Sequence, residues 1–222
     1  MTSLTILFED QHVLVVIKPA RVPSQSDLSG DPDMLTLCKC HIKENEKKEG
    51  NVYLGLVHRL DRPVGGIMIF AKRSKSAARI SKQIQNRSFK KRYTALVEGT
   101  VKPANAELLH FLKKDRKLKK AIISDQEFSD AKKAILSYQL LHSENNRSLL
   151  EIDLKTGRFH QIRAQLSHIG HPIVGDKKYQ SSQTHSEQGI ALFASYIAFQ
   201  HPISSELMEF EYQPNWYVDK IH

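Results

Sequence analysis

Two stretches of the 222-residue chain place polar residues where local periodicity would put a core. In His58-Arg59-Leu60-Asp61-Arg62-Pro63 an aspartate ends an apolar, extended run, just before a turn signalled by Pro63 and Gly65-Gly66. Arg59 and Arg62 beside it favour the ionised carboxylate. Such a carboxylate, held in one orientation, is what covalent or electrostatic work at a sugar anomeric carbon requires. The same residues also suit a plain turn ion pair, so Asp61 needs support from elsewhere. The second stretch is Thr156-Gly157-Arg158-Phe159-His160-Gln161-Ile162-Arg163-Ala164-Gln165-Leu166. On a helix, Phe159, Ile162 and Leu166 share one stripe, and Arg163 falls within it. A guanidinium on a buried face must meet a carboxylate, for which Asp61 is the candidate, or snorkel past the apolar stripe to water.

A third segment, Lys90-Lys91-Arg92-Tyr93-Thr94-Ala95-Leu96-Val97, sets an aromatic ring directly after three cations. In a strand Tyr93, Ala95 and Val97 face one way. That arrangement suits an extruded nucleobase stacked on the ring with phosphates on the lysines, and equally suits a core tyrosine. His160, His168 and His171 with Asp176 invite a metal reading, but His160 and His168 lack the i, i+4 spacing of a metal-binding helix. Neither GxxxxGK[ST] nor GxGxxG occurs, so the chain has no sequence support for a nucleotide cofactor.

The elements that must carry these residues can be read coarsely. Thr5–Phe8 and Val13–Ile17 are strands joined by a polar turn, and Asp31-Pro32-Asp33 opens a helix through Met34, Leu37, Cys38 and Ile42. Leu54–Asp61 is extended and Ile67–Ala71 is an apolar strand. Ser74 caps a helix from Lys75 to about Gln85. Strands are expected at Tyr93–Val97, Leu108–Leu112, Ala134–Leu141, Leu149–Leu154, Ala191–Phe199 and Met208–Tyr212. A helix from Phe159 to Ile169 stops at Gly170. No Pro-rich or Ser-rich linker divides the chain, so the reading is one α+β domain over residues 1–222.

Composition excludes several classes. Gly 10 and Pro 8 rule out collagen-like and low-complexity chains, and 40% hydrophobic residues rule out disorder as the main state. No apolar run reaches the roughly 18 residues of a membrane span. The N-terminus lacks a basic region and a cleavage site, so a cytoplasmic location and reduced thiols at Cys38 and Cys40 are expected. The formal net charge of +9 points to a polyanion, with ordinary surface lysines as the plain alternative. Lys72 to Arg92 holds nine basic and no acidic residues, and Lys113 to Lys120 holds six basic and one acidic. Together they carry +14, leaving −5 for the rest, so the excess is two segments rather than a general coat.

Ile17-Lys18-Pro19, His58-Arg59-Leu60-Asp61 with Gly66–Lys72, Lys91–Ala95, and Thr156–Arg163 with Gly170–Asp176, in this order, resemble the RluA-type pseudouridine synthases over nearly the whole chain. The resemblance implies a pseudouridine synthase catalytic fold with a central, mostly antiparallel sheet. It implies an isomerase that acts without cofactor or metal on a uridine in structured RNA, ribosomal or transfer. Asp61 matches the essential aspartate, Tyr93 the tyrosine near the base, Arg163 the arginine paired with the aspartate, and Ile162 the apolar wall of the base pocket. Arg62 resembles the residue that helps flip the nucleotide. Leu60 is a second wall residue, and His58, Arg59, Lys90, Lys91, Arg92, Arg158, His160 and Gln161 are the expected substrate contacts. Val64-Gly65 stands where many relatives have Thr-Ser, Phe159 where they have Thr, and Gln165 where they have His, which bears on secondary contacts. Relatives often carry an S4-type RNA-binding domain before the catalytic blocks. Here those blocks begin almost at Met1, so a stand-alone, monomeric catalytic domain that grips RNA itself is expected.

Overall fold

The computed structural model describes residues 4–47, 49–185 and 189–218. The chain divides into two compact units, residues 1–90 with 194–212, and residues 91–193 with 213–222. In the first unit β1 (Thr5–Glu9) and β2 (Val13–Lys18) form an antiparallel hairpin. Asp10 closes its turn by accepting the backbone N–H groups of His12 and Val13, both at 2.7 Å. α1 (Met34–Asn45) starts at Asp33, whose carboxylate accepts the Thr36 N–H at 3.1 Å, as an N-cap should. β3 is only Gly55–Leu56, and β4 (Gly65–Ala71) is buried along its whole length. The continuous apolar sequences of β2 and β4 are what a strand covered on both faces requires. The two pair antiparallel from Val13↔Ala71 to Lys18↔Gly66.

α2 (Ser74–Gln85) follows, and its N-cap is Arg73 without a side-chain bond, so Ser74 is the first helical residue and not the cap. Ser76 and Ile80 form its buried side. Beyond β4 the unit's strand order continues to β10 (Leu192–Gln200, here from Ala194), which carries β11 (Leu207–Glu211) antiparallel. A stack of Phe89 on Phe199, 5.7 Å and 8° apart, belongs to this core.

The second unit is an antiparallel array in the order β5 (Lys90–Glu98, here from Lys91), β9 (Arg147–Leu154), β8 (Lys132–Glu144), β6 (Asn105–Asp115), β7 (Lys120–Ser124). β7 was not expected from the sequence, since Ala121-Ile122-Ile123 is a short apolar run behind six basic residues. α3 (Gln161–His168) begins two residues later than its periodicity suggests, because His160 takes a left-handed conformation at φ 53°. Phe159 therefore precedes the helix, and Gln161 through Leu166 are all buried. α3 is enclosed rather than amphipathic, and Ala164 joins Leu112, Ala121, Ala134 and Tyr179 in one apolar cluster.

Candidate active site

Asp61 does not end a strand: four residues of irregular backbone separate it from β3, and it begins the Arg62-Pro63 turn, with the Val64 N–H on its carbonyl at 3.0 Å. The chain on either side of it is fastened. Buried Ser24 receives the Leu60 N–H at 3.1 Å and donates its hydroxyl to the Leu60 carbonyl at 2.8 Å, as a partner strand would. The Lys18 ammonium, with no exposed surface, donates to the carbonyls of Pro19 at 2.9 Å, Val22 at 2.8 Å and Arg62 at 3.2 Å. Burial pushes the Lys18 ammonium down to about 7, the Asp61 charge acts to raise it, and that of Arg62 to lower it. Asp61 is thus half-buried on a segment pinned at its preceding and following residues, with a buried cation acting on its charge. Neither Lys18 nor Ser24 was singled out by spacing, since each meets this segment from 36 to 44 residues away.

The neighbours of Asp61 separate into different roles. His58 is buried, accepts the Ile69 N–H on Nε2 at 3.1 Å and lies 5.7 Å from the Phe89 ring, which makes it a post between the Asp61 segment and β4. Leu60 is buried, whereas Arg59 is exposed. Arg62 is held at the surface by the Arg21 carbonyl at 3.0 Å, by Ser29 at 2.9 Å and by the carboxylates of Asp27 and Asp31. Both aspartates are lowered from the ordinary carboxylate range, by Ser29 foremost at Asp27 and by Arg62 foremost at Asp31.

In the second unit Tyr93 is buried on β5, opposite Ile152. β5 is buried on both faces from Tyr93 to Val97, so the ring does not head a one-sided apolar face. Lys90 is exposed, Lys91 is half-buried and moved down by burial to about 8, and Arg92 pairs with Glu151 at 3.0 Å.

Asp176 is a carboxylate that the structure places on Arg163. Its two oxygens accept Nε at 2.6 Å and one terminal nitrogen at 2.8 Å, and both side chains are almost wholly buried. A bidentate pair of this kind fixes the guanidinium plane, and Arg163 also lies 5.1 Å from the Tyr179 ring. Ile162 is buried beside it. Gln161 and Gln165 form a directional chain. The Arg158 N–H, which can only donate, meets Gln161 Oε1 at 3.0 Å, Gln161 Nε2 donates to Gln165 Oε1 at 2.9 Å, and Gln165 Nε2 to His110 Nδ1 at 2.9 Å. The Arg158 guanidinium itself donates to the Lys133 carbonyl at 2.9 Å. Gln161 thereby ties the Arg158 loop to α3 and β8, with a further bond to the Ile135 carbonyl.

The histidines do converge, though not as the sequence suggested. His110, Asp125 and His168 bring their ligand atoms within 4.8 Å of one another. His110 accepts from Gln165 on Nδ1, and its Nε2 lies 3.4 Å from Asp125. Among the three, the hydrogen bond is the one between His168 Nε2 and Asp125 Oδ1 at 2.9 Å. His160 belongs elsewhere: its Nδ1 is hydrogen-bonded to the Tyr179 hydroxyl at 2.9 Å, and Tyr179 in turn receives the Ala121 N–H.

Comparison with known proteins decides the family to which these segments belong. The RNA pseudouridylate synthase family matches residues 12–168, through both units. The chain belongs to this family. Its RluA-type branch is the one that the sequence blocks resemble, and the chain is accordingly an RNA-modifying isomerase. A Bacillus subtilis relative, "Uncharacterized RNA pseudouridine synthase YlyB", is 31% identical over 94% of this chain and 68% of its own. "Ribosomal large subunit pseudouridine synthase D" of Zymomonas mobilis is 33% identical over the same shares. The solved structure of "Human RNA Pseudouridylate Synthase Domain Containing 4" superposes with a TM-score of 0.78 over 96% of this chain and 90% of its own, at 22% identity. The α+β architecture is therefore the pseudouridine synthase fold, and Asp61 and Arg163 stand in two of the four blocks whose sequence resembles this family.

Proposed function

We propose that this pseudouridine synthase isomerises a uridine in structured RNA, using Asp61 on an extruded nucleotide without a cofactor. The observation that carries the reading is the fastening of Leu60 and Arg62 by Ser24 and Lys18, which holds the intervening carboxylate in one place beside a buried cation. A group that must reach C1′ needs that preorganisation. Asp61 either attacks C1′ or takes the C2′ proton to give a glycal. Along the first route the N1–C1′ bond breaks with its electron pair left on uracil, and the base turns in its pocket. C5 then displaces the carboxylate from C1′, the C5 proton leaves, and N1 takes one up. Tyr93 stacks on the base and assists the proton at C5, and Arg163 supplies positive charge. Ile162 and Leu60 are the walls that keep water from the sugar. Of the two arginines flanking Asp61, exposed Arg59 is the better placed to enter the space of the flipped base, because Arg62 is engaged by Asp27, Ser29 and Asp31.

Ribosomal RNA is the substrate class named for one relative at 33% identity, and we carry it to this chain as the first substrate to assay. The reading includes a monomeric, cytoplasmic enzyme whose residues 1–222 work as one catalytic domain, with Lys90, Lys91, Arg92, Arg158 and His160 on the RNA side. Carbodiimide mapping of pseudouridine in RNA treated with wild type and with Asp61→Asn tests it. Adducts at defined uridines with wild type and none with the variant are expected, while filter binding of RNA by the variant stays close to wild type. Undiminished adducts with Asp61→Asn would sink the assignment.

A further inference from the structure

We propose that Phe159, His160, Lys114 and Lys178 form a docking platform for an unpaired nucleotide of the RNA, distinct from the reacting uridine. The proposal rests on the RNA reading above and concerns the second unit alone. The Phe159 and His160 rings stack with centroids 3.8 Å and planes 19° apart. The stack is rigid: Phe159 packs on the Leu112, Ala121, Ala134, Ala164 and Tyr179 cluster, and His160 is pinned by the Tyr179 hydroxyl. Both rings are half-buried. Around them stand exposed cations of the β6–β7 hairpin and of the helical turn Lys177–Tyr179. Lys114 Nζ sits 4.4 Å over the Phe159 ring, and Lys178 Nζ reaches the Lys119 carbonyl at 3.2 Å.

Burial, together with the charges of Arg163, Lys178 and Lys114, pushes His160 down to about 3, so its ring stays neutral inside this positive field. A neutral aromatic stack bordered by ammonium groups matches a nucleotide in both of its parts. The base lies on a ring face and the phosphate meets the lysines. Lys114 now covers the Phe159 face through a cation–π contact, and an incoming base takes that face while the ammonium moves to phosphate. An acidic peptide would answer the cations but has no use for the stack, which is why RNA is the occupant.

Filter binding of transcribed large-subunit ribosomal RNA fragments across a salt series tests this, with unfolding midpoints taken for each variant. Phe159→Ala is expected to weaken binding about tenfold, and Phe159→Trp to retain wild-type affinity. The surface pair Lys114→Gln with Lys178→Gln is expected to reduce the salt slope by about two. With these variants KM for RNA rises and kcat is kept. Wild-type affinity in Phe159→Ala, or an unchanged salt slope in the lysine pair, would overturn the platform. Loss of polyglutamate binding with RNA affinity intact would reassign the surface to an acidic peptide and overturn it equally. Asp61→Asn, carried in parallel, keeps the two readings apart, since it bears on turnover and leaves the platform's affinity readout untouched.

Discussion

A lysine with no exposed surface keeps its charge when all three of its protons find acceptors, and Lys18 has the carbonyls of Pro19, Val22 and Arg62 for that purpose. A neutral amine could serve only two of them. Burial works the other way, pushing the group down to about 7, with Asp61 raising it and Arg62 lowering it. The sign follows directly. Below about pH 7 Lys18 is a cation that favours the Asp61 carboxylate, and above it that support is withdrawn. Wild type is therefore expected to show an alkaline decline in kcat beginning near pH 7. In Lys18→Met the decline should vanish, kcat should fall roughly ten- to a hundredfold, and the acidic limb should move to higher pH. A variant with both limbs where wild type has them would reduce Lys18 to a tie between loops. What the sequence makes legible is the placement of Arg163, a charged residue on a helix stripe that the structure buries; the strand-end setting of Asp61 and the one-sided face of Tyr93 are not what the structure shows. The contacts of Lys18, Ser24 and Asp176 were not legible, since a buried polar residue is explained only by a partner far along the chain. Arg163 illustrates the limit: the need for a carboxylate is readable from its place on the helix, but one that meets it, Asp176, lies past the helix end, where no periodicity connects the two.

Elements show the same division between local and distant causes. β2 and β4 were readable from their continuous apolar runs, and α1 from its Asp33 cap. The start of α3 was not, because the left-handed turn at His160 depends on Tyr179 and on the ring stack with Phe159 rather than on propensity. β7 exists through pairing with β6 and the bond from Ala121 to Tyr179, neither of which five residues announce alone. Gly66 marks where β4 depends on a distant strand. Its φ is +130°, and a Cβ there would lie 2.4 Å from the Ala194 nitrogen and 2.5 Å from its oxygen. Backbone on both counts leaves no flexible side chain to yield, so Gly66→Ala is expected to cost more than about 3 kcal/mol. Denaturant unfolding reads this directly, and a midpoint within error of wild type would mean that β4 and β10 can separate without loss.

At the scale of the whole molecule, the +9 of the sequence is less uniform than its two basic segments suggest. Lys72 is buried and pairs with Glu9 at 2.6 Å and Glu46 at 2.8 Å, Arg79 donates to the Pro202 carbonyl, and Arg92 holds Glu151. In the second segment Lys113 pairs with Asp130, while Lys114 stays exposed. Arg73, Lys75, Lys82, Arg87 and Lys90 remain exposed in the first segment. Charge that is already matched inside the fold releases few counterions on RNA binding, whereas exposed charge meeting phosphate releases about one each. Replacing Lys75, Lys82 and Arg87 together by Gln is therefore expected to lower the slope of log affinity against log salt by up to about three, with turnover at saturating RNA retained. Lys72→Gln should behave oppositely, leaving the slope in place and lowering the unfolding midpoint, because it removes the buried cation that Glu9 and Glu46 share. Equal slopes for wild type and the triple variant would return α2 to an ordinary solvated face, and RNA affinity would then have to arise from the remaining cations, those of the β6–β7 hairpin foremost.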